Sequence, residues 1–402
     1  MVGETGRYII RFTPGGIQAG SRMLEEVGLK VANMEDGVLR EEEAGDAAVL
    51  LVPNLSSGLL SGEEEQYEIV DSLSQRQQPG SPIVSVEPER FFTIKTFESL
   101  PEPDLGEPEL LGTVASGVEW WLGSTGVSQS AFSGQGITVA VLDTGLDFNH
   151  PDWIGRVPTT DQASFAFGVA DAQDGHGHGT HTAGLACGLL NPIGPAPRYG
   201  VAHQAEVLIG KVIDDAGIGT TGELLRGISW ALARSADVVL LALEIPVSVG
   251  SPFSTDFENA GRSALQQGSL LVASVGNDSQ RPTDVQPVSE PANCPSILGV
   301  GAIARDGSLW IRSNGLRSFQ GAGTVDLVAP GVTILSSHLP PNGYLALDGT
   351  SMAAALTAGI AALHAETDPV ARGARLFQVL RQTAHATGLP PGDGGSGFVQ
   401  AP

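Results

Sequence analysis

Three short segments of the chain carry the side chains that an acyl-transfer reaction needs. Asp143 ends the apolar run VAVLD, His178 opens the segment HGTHTAG, and Ser351 lies in GTSMAAA. A serine hydroxyl becomes an effective nucleophile when an imidazole takes its proton and a carboxylate holds that imidazole in one tautomer. Together the three residue types predict nucleophilic hydrolysis of an acyl bond.

A fourth segment supplies a donor for the negative charge that such a reaction develops. The sequence LVASVGND places Gly276 and Asn277 directly after an apolar run. We expect the amide of Asn277 to donate a hydrogen bond to the oxyanion. A serine at the start of a helix adds backbone N–H groups aimed at the same atom.

Near-continuous apolar runs alternate with helical stretches from about Gly117 onward, and these elements must position the four residues. The predicted strands are 137–142, 206–212, 238–243, 270–275 and 297–300. Such runs are typical of parallel strands covered on both faces. The pattern therefore predicts an α/β fold with a parallel sheet and helices on both faces, including one at Gly222–Ala233. Catalytic residues in such folds lie at the carboxyl ends of the strands.

The amino-terminal part of the chain has a different pattern. Its predicted strands are 7–12, 47–52 and 83–86, and its predicted helices are 16–32 and 61–73. Strands and helices arranged in this way predict a small α+β domain. The segment ESLPEPDLGEPELLG that follows is rich in Pro and Glu and has no period, which indicates an exposed linker. We divide the chain into residues 1–97, a linker at 98–116 and a large domain at 117–402.

The four chemical segments resemble, in content and order, the motifs of the subtilisin (subtilase) family of serine endopeptidases. The triad of that family runs Asp, His, Ser along the chain. By the resemblance, Asp143 is the aspartate, His178 the general base, Ser351 the nucleophile and Asn277 the oxyanion-hole amide. The resemblance covers roughly residues 117–402 and ends with GSGFVQA. It implies an enzyme that cuts polypeptide substrates through an acyl-enzyme and uses no cofactor for catalysis.

The small amino-terminal domain resembles the pro-regions of subtilisins. The resemblance implies that residues 1–97 assist folding and inhibit the enzyme, so that the chain is a self-processing zymogen whose own pro-domain is a partner. Since the linker must pass near the cleft to be cut, we expect the cut between about Thr96 and Gly117. The start MVGETGRYIIRF lacks the features of a signal peptide. We expect either a cytoplasmic protein or a secreted one whose signal has been removed.

The sequence departs from the family pattern in two places. A proline usually stands four residues after the nucleophile, where this chain has Ala355. Proline near a helix start restrains the first turn, so alanine leaves that turn less restrained. A segment on the substrate-binding edge that usually reads Ser-Leu-Gly reads Ala-Leu-Glu at 242–244. The second change, at 242–244, is expected to alter which substrate side chains the enzyme accepts.

The resemblance also implies which residues bind substrate. These are Gly217, Gly219, Leu243, Glu244, Gly276 and Asp278. Glu244 and Asp278 place two carboxylates near one specificity pocket, and opposite charges across an interface favour binding. We therefore predict a preference for Arg or Lys over Phe or Leu before the cut bond. The alternative is that both acids point into solvent and the pocket stays apolar.

A structural calcium site is a further implication of the resemblance. Asp152 matches a family calcium ligand, and Asn191 and Ile193 lie in the loop that completes the site. Calcium prefers several oxygen ligands, including backbone carbonyls. The alternative is that Asp152 is a turn residue, and the loop Leu185–Tyr199 is longer than its family counterpart.

Other classes of protein fit the residues less well. The segment VLDTG suits an aspartic protease, but that class needs two such aspartates and the sequence has no second D-[ST]-G. Serine-carboxyl peptidases replace the base with Glu and the oxyanion amide with Asp, so His178 and Asn277 disfavour them. The complete set of chemical residues disfavours a peptide-binding pseudoprotease. A dedicated processing peptidase for one partner protein remains an alternative.

Composition narrows the partners further. The formal net charge is −24, which disfavours nucleic acid or an anionic membrane surface as the main partner. The sequence has no apolar run of the length that a membrane span needs. Its two cysteines, Cys187 and Cys294, predict two buried thiols, with a bridge between them as the alternative.

Overall fold

The computed structural model describes residues 3–12, 19, 22–23, 49–52, 80–99, 119–315 and 323–402. The strands are β1 Gly3–Phe12, β2 Val49–Val52, β3 Ile83–Thr93, β4 Phe97–Glu98, β5 Thr138–Asp143, β6 Gln162–Ser164, β7 Glu206–Lys211, β8 Ile218–Thr220, β9 Val238–Leu241, β10 Leu270–Ser274, β11 Leu298–Ile303, β12 Leu327–Pro330, β13 Ile334–Ser337 and β14 Tyr344–Asp348. The helices are α1 Trp120–Ser124, α2 His178–Cys187, α3 Thr221–Ala233, α4 Thr255–Gln267, α5 Thr350–Thr367, α6 Gly373–Thr383 and α7 Pro391–Gly394.

A seven-stranded parallel sheet forms the centre of the large domain. Its strand order is β12-β11-β10-β9-β5-β7-β6. Along β5 the side chains alternate between two cores, since Val139 and Val141 pack with α2, α5 and α6, whereas Ala140 and Leu142 pack with α3 and α4. Both faces of the sheet are therefore buried, which is why its central strands are apolar at nearly every position. The predicted α/β fold is confirmed.

The amino-terminal strands join the large domain through a second sheet. Its order is β2-β1-β3-β8, all antiparallel, and β8 belongs to the large domain. Strand β3 extends to Thr93, well beyond the predicted strand at 83–86, because its last residues pair with Ile218–Thr220. The two predicted amino-terminal helices fall almost wholly outside the described residues.

A third, small sheet includes Glu98, the first residue of the predicted linker. Its order is β13-β14-β4, and Phe97 pairs with Asp348 in β14. Phe97 also packs edge-on against Trp310, with ring centroids 5.6 Å apart. The linker predicted at 98–116 therefore begins inside a strand, and its residues 100–116 lie outside the described part of the chain. Because this stretch is rich in Pro and Glu, its composition did not indicate the two-residue strand at its start.

Two smaller sequence expectations concern cysteines and membranes. Cys187 and Cys294 are free and buried, as predicted. Within the ranges that the structure describes, no helix is long and apolar enough to cross a membrane.

Candidate active site

Asp143 is the last residue of β5, so its side chain lies at the carboxyl edge of the central sheet. It is 1% exposed. Its two carboxylate oxygens lie 2.8 and 3.0 Å from Nδ1 of His178. Further hydrogen bonds come from the backbone N–H of Thr144 at 2.7 Å and from the hydroxyl of Thr182 at 3.0 Å. These donors hold the carboxylate in one orientation beside the imidazole.

His178 is the first residue of α2 and is likewise buried. Burial by itself would lower the pKa of His178, but the charge of Asp143 and the hydrogen bond to it prevail and raise that pKa. Since Nδ1–H donates to the carboxylate, Nε2 is left as the acceptor. Nε2 is buried and has no hydrogen-bond partner among the described residues. The imidazole is thus oriented as a base.

Close backbone packing holds the start of α2 beside Asp143. The N–H of Gly179 donates to the hydroxyl of Thr144 at 2.8 Å. A Cβ on Gly179 would lie 2.2 Å from the carbonyl oxygen of Gly145. Because no side chain fits in that gap, glycine at this position permits the approach that brings His178 to Asp143.

Ser351 is the second residue of α5 and is 5% exposed. Its hydroxyl donates to the carbonyl of Ala242 at 3.1 Å rather than to His178. Helices α2 and α5 cross closely, since a Cβ on Gly359 would lie 2.7 Å from the carbonyl oxygen of Ala186. This crossing puts the first turns of the two helices, with His178 and Ser351, on the same face of the sheet.

Asn277 follows β10 and is tied to the residue before Ser351. Its side-chain oxygen accepts from both the backbone N–H and the hydroxyl of Thr350, each at 2.9 Å. A backbone N–H can only donate, so the atom that faces it must be the amide oxygen. The NH₂ group of Asn277 is then free of Thr350 and available to a developing oxyanion beside Ser351.

Glu244 lies on the other side of Asn277. Its side chain is 2% exposed, and its carboxylate accepts the backbone N–H of Asn277 at 2.5 Å. Burial and, to a smaller extent, the charge of Asp278 raise the pKa of Glu244 to about 7, although Lys95 and the N–H of Asn277 oppose the shift. A buried carboxylate thus lies beside Asn277.

Gly276 makes room for that carboxylate. Its φ is +109°, in the left-handed region. A Cβ there would lie 2.5 Å from Oε2 of Glu244 and 2.4 Å from Nδ2 of Asn314. Both the backbone conformation and the close contacts therefore require glycine at this position.

The amino-terminal segment places a cation between the two acids of the predicted pocket. Nζ of Lys95 forms an ion pair with Asp278 and lies 3.8 Å from Oε1 of Glu244. Sequence reasoning did not single out Lys95. Its signal is that it is the only Lys or Arg between Arg90 and Arg156.

The remaining predicted substrate-binding residues divide into two groups. The carbonyl of Gly217 accepts the N–H of Ile94 at 3.0 Å, and Gly219 pairs with Phe92 across the β3–β8 ladder. Both glycines thus contact an extended segment of chain. Leu243 is different, because its side chain is 1% exposed and packs in a core of the domain. We infer that Leu243 supports the cleft from within the core rather than by contact with substrate.

The residues predicted to bind calcium form another kind of site. The carboxylate of Asp152 accepts from the N–H of Ile193 at 2.6 Å and from the hydroxyls of Tyr199 and Tyr344 at 2.7 and 2.9 Å. Asn191 is exposed and the side chain of Ile193 is 71% exposed. Calcium needs oxygen atoms facing it, whereas here an N–H and two O–H donors face Asp152. This donor set does not fit a calcium ion.

The described residues as a whole offer no metal centre of another kind. In that part of the chain no group of three or more His, Cys, Asp or Glu side chains is arranged to hold a metal ion. The polar groups of the cleft instead bond to one another, as the pairs Asp143–His178 and Asn277–Thr350 show.

Comparison with known proteins agrees with this geometry. The model of the subtilase family matches residues 134–398. An alkaline protease of Alkalihalobacillus alcalophilus is 33% identical over 400 residues, which cover 98% of this chain and 90% of that protein. Subtilisin Savinase of Lederbergia lenta is 38% identical over 271 residues, which cover 67% of this chain and 90% of that protein.

The fold also matches a solved structure. A cold-adapted subtilisin-like serine proteinase aligns with a TM-score of 0.54 and 29% identity over 67% of this chain and 89% of that chain. The family match, the relatives and the parallel sheet agree. The chain belongs to the subtilase family of serine endopeptidases.

Proposed function

We propose that this endopeptidase cuts polypeptides with Ser351 as nucleophile, His178 as general base, Asp143 as the orienting carboxylate and Asn277 as the oxyanion donor. One observation carries the assignment. His178 donates from Nδ1 to Asp143 at 2.8 Å while its buried Nε2 has no partner among the described residues. An imidazole held in this tautomer is prepared to accept a proton.

The first half of the reaction begins with attack on the peptide carbonyl, which forms a tetrahedral intermediate. The hydroxyl of Ser351 leaves the carbonyl of Ala242 and gives its proton to Nε2 of His178 as its oxygen attacks the peptide carbonyl. Asp143 stabilises the imidazolium that forms. The oxyanion accepts from the NH₂ of Asn277 and from the N–H of Ser351, which lies in the first helical turn and has no acceptor within the helix.

Collapse of this intermediate gives the acyl-enzyme, and hydrolysis by water then restores the enzyme. The tetrahedral intermediate collapses, the peptide C–N bond breaks, and the leaving amine takes the proton from Nε2. A water molecule then gives a proton to His178 as its oxygen attacks the acyl carbonyl, and the ester bond to Ser351 breaks as His178 returns that proton to the serine oxygen. The carboxylic acid product leaves and the Ser351 hydroxyl is restored.

We also propose that residues 1–97 are an inhibitory pro-domain. Strand β3 docks beside the cleft by pairing with β8, and Arg90 forms an ion pair with the buried Glu290 of the large domain. Glu87 accepts the N–H groups of Thr255 and Asp256 at the start of α4. The relative of 98% coverage aligns through this region as well. An amino-terminal segment docked in this way covers the cleft in which a substrate must bind.

The test of the triad compares the wild-type chain with Ser351→Ala. We expect wild type to hydrolyse casein and to be labelled by a fluorophosphonate, whereas Ser351→Ala takes no label and loses about 10⁴- to 10⁶-fold in turnover. Matching circular dichroism spectra of the two chains confirm that the variant is folded. A variant that keeps more than a few per cent of the activity shows that another residue is the nucleophile.

A further inference from the structure

The residues between β3 and β4 pass the candidate active site. Strand β3 pairs with β8 on one side of the site, and β4 pairs with β14 on the other. The N–H of Ile94 donates to the carbonyl of Gly217 at 3.0 Å, which extends the ladder with β8. On the far side Phe97 pairs with Asp348, three residues before Ser351. Lys95 and Thr96 are therefore the two residues that cross from one ladder to the other.

The side chain of Lys95 marks which of these residues occupies the specificity pocket. It lies between Asp278, with which it forms an ion pair, and Glu244, whose Oε1 is 3.8 Å from Nζ. Glu244 holds the backbone N–H of Asn277, and Asp278 follows Asn277 directly. The residue held between these two acids thus lies next to the oxyanion amide.

This placement identifies a single peptide bond. The carbonyl that reacts belongs to the residue whose side chain fills the pocket beside the oxyanion amide, and that residue is Lys95. Thr96 is then the first residue on the leaving side, and the pairing of Phe97 with β14 holds that side in place. The chain crosses the cleft as an uncut substrate does.

We propose that the enzyme matures by cutting its own Lys95–Thr96 bond, and that Glu244 and Asp278 select Lys or Arg before the cut bond in other polypeptides. The proposal rests on the proposed function of Ser351, His178 and Asp143. It specifies a class of substrate and a maturation site, and it moves the cut one residue before the window that the sequence predicted.

The charges in the pocket explain the selection. Glu244 is buried, and its Oε1 has no hydrogen-bond partner among the described residues. A buried carboxylate without a cation is costly, whereas a matched cation offsets much of that cost. Lysine places a point charge between the acids, and arginine brings a planar fork that can donate to both. A Phe or Leu side chain would leave both carboxylates without a cation.

Maturation of the chain itself gives the first test. After incubation of the full chain, we expect the large fragment to begin with TFES at Thr96, by amino-terminal sequencing. Lys95→Arg keeps the cut, because the cation is retained. Lys95→Met keeps the length but removes the charge, and we expect it to slow the cut by about 10- to 100-fold. A large fragment that still contains Lys95, or wild-type processing of Lys95→Met, overturns the maturation site.

Matched substrates give the second test. Tetrapeptide anilides that differ only in Arg, Lys or Phe before the cut bond are compared on mature enzyme, and we expect kcat/KM to favour the cations by about 10- to 100-fold. Glu244→Gln keeps an acceptor for the N–H of Asn277 but loses the charge, so the preference should fall. Asp278→Asn, at a more exposed position, should lower it as well. Glu206→Gln, the same chemical change at the exposed first residue of β7, is the matched control and leaves the preference unchanged.

Labelling by a fluorophosphonate separates the two proposals, because this reagent needs Ser351 and His178 but has no side chain for the pocket. If wild-type enzyme is labelled and cuts the Phe substrate as fast as the Arg one, the acidic pocket does not select and this inference is overturned. Labelled Glu244→Gln and Asp278→Asn with an unchanged preference overturn it equally. If wild-type enzyme takes no label, the proposed function of Ser351 fails first.

Discussion

At the scale of single residues, the protonation of Glu244 depends on what faces it. Asp278 and Lys95 are the charged groups beside its carboxylate, and the N–H of Asn277 donates to it. Burial is the largest cause of its raised pKa of about 7, compared with an ordinary value of 4.5. The folded chain therefore holds a proton on Glu244 over a range of pH in which the unfolded chain has released it.

This difference predicts how stability changes with pH. Between pH 4.5 and 7 the folded state binds more protons than the unfolded state, so Glu244 makes folding less favourable as the pH rises through that window. In a Ser351→Ala background, which prevents self-digestion, Glu244→Gln removes the titration. We expect the Tm of the parent, relative to that of Glu244→Gln, to be lower at pH 8 than at pH 5. A Tm difference that does not change with pH would contradict the assignment, and Glu206→Gln serves as the control.

At the scale of secondary structure, β3 connects the amino-terminal sheet to the cleft. The strand pairs with β1 on one side and with β8 on the other. From its middle, Glu87 accepts the first N–H groups of α4 at 2.8 and 3.2 Å and the hydroxyl of Ser254 at 2.6 Å. A carboxylate at a helix amino terminus accepts hydrogen bonds from unpaired N–H donors and interacts favourably with the positive end of the helix dipole. The large domain thus contributes a helix end to the docking of the small one.

Glu87 caps the amino terminus of α4, and we expect removal of this cap to reduce stability measurably. Glu87→Ala removes three acceptor contacts at the start of α4, and we expect it to destabilise the full Ser351→Ala chain by about 1 kcal/mol. Thermal unfolding measures the change as a fall in Tm. Glu206→Ala removes an exposed carboxylate from the first residue of β7 and should leave Tm nearly unchanged. Equal Tm values for Glu87→Ala and its parent would show that the cap contributes nothing to docking.

At the scale of the whole molecule, one chain supplies both the cleft and the segment that fills it. The ladder with β8, the ion pairs of Lys95 and the pairing with β14 follow one another over residues 91–98. Once the chain is cut after Lys95, the contacts on the amino-terminal side of the cut all belong to one fragment. This fragment is then a product that retains the contacts of a substrate.

The predicted consequence is inhibition by the released fragment. We expect the fragment 1–95, added to mature enzyme, to inhibit hydrolysis of a small anilide substrate in a concentration-dependent manner. The fragment 1–94 lacks only the lysine that enters the pocket, and we expect it to inhibit about 10- to 100-fold more weakly. If an excess of fragment 1–95 leaves the rate unchanged, the inhibitory role of residues 1–97 fails.

The sequence by itself determined the parallel sheet and the residue types of the site. Apolar runs such as 139–142 indicate strands buried on both faces, and a polar residue at the end of a run, such as Asp143, lies at the carboxyl edge by construction. These are local properties of neighbouring residues. The fold class, the order of the chemical residues and their family were therefore accessible before any contact was known.

Only the tertiary structure decided which side chains meet. Lys95 lies far along the chain from Glu244 and Asp278, and no local pattern tells that a lysine after β3 crosses to them. The same is true of Asp152, whose partners Tyr199 and Tyr344 replace the oxygen ligands that the resemblance implied. A periodic pattern specifies the face on which a residue lies, whereas its partner depends on strand order and on the path of the loops. For that reason the charge inside the pocket and the donors around Asp152 became visible only in the folded chain.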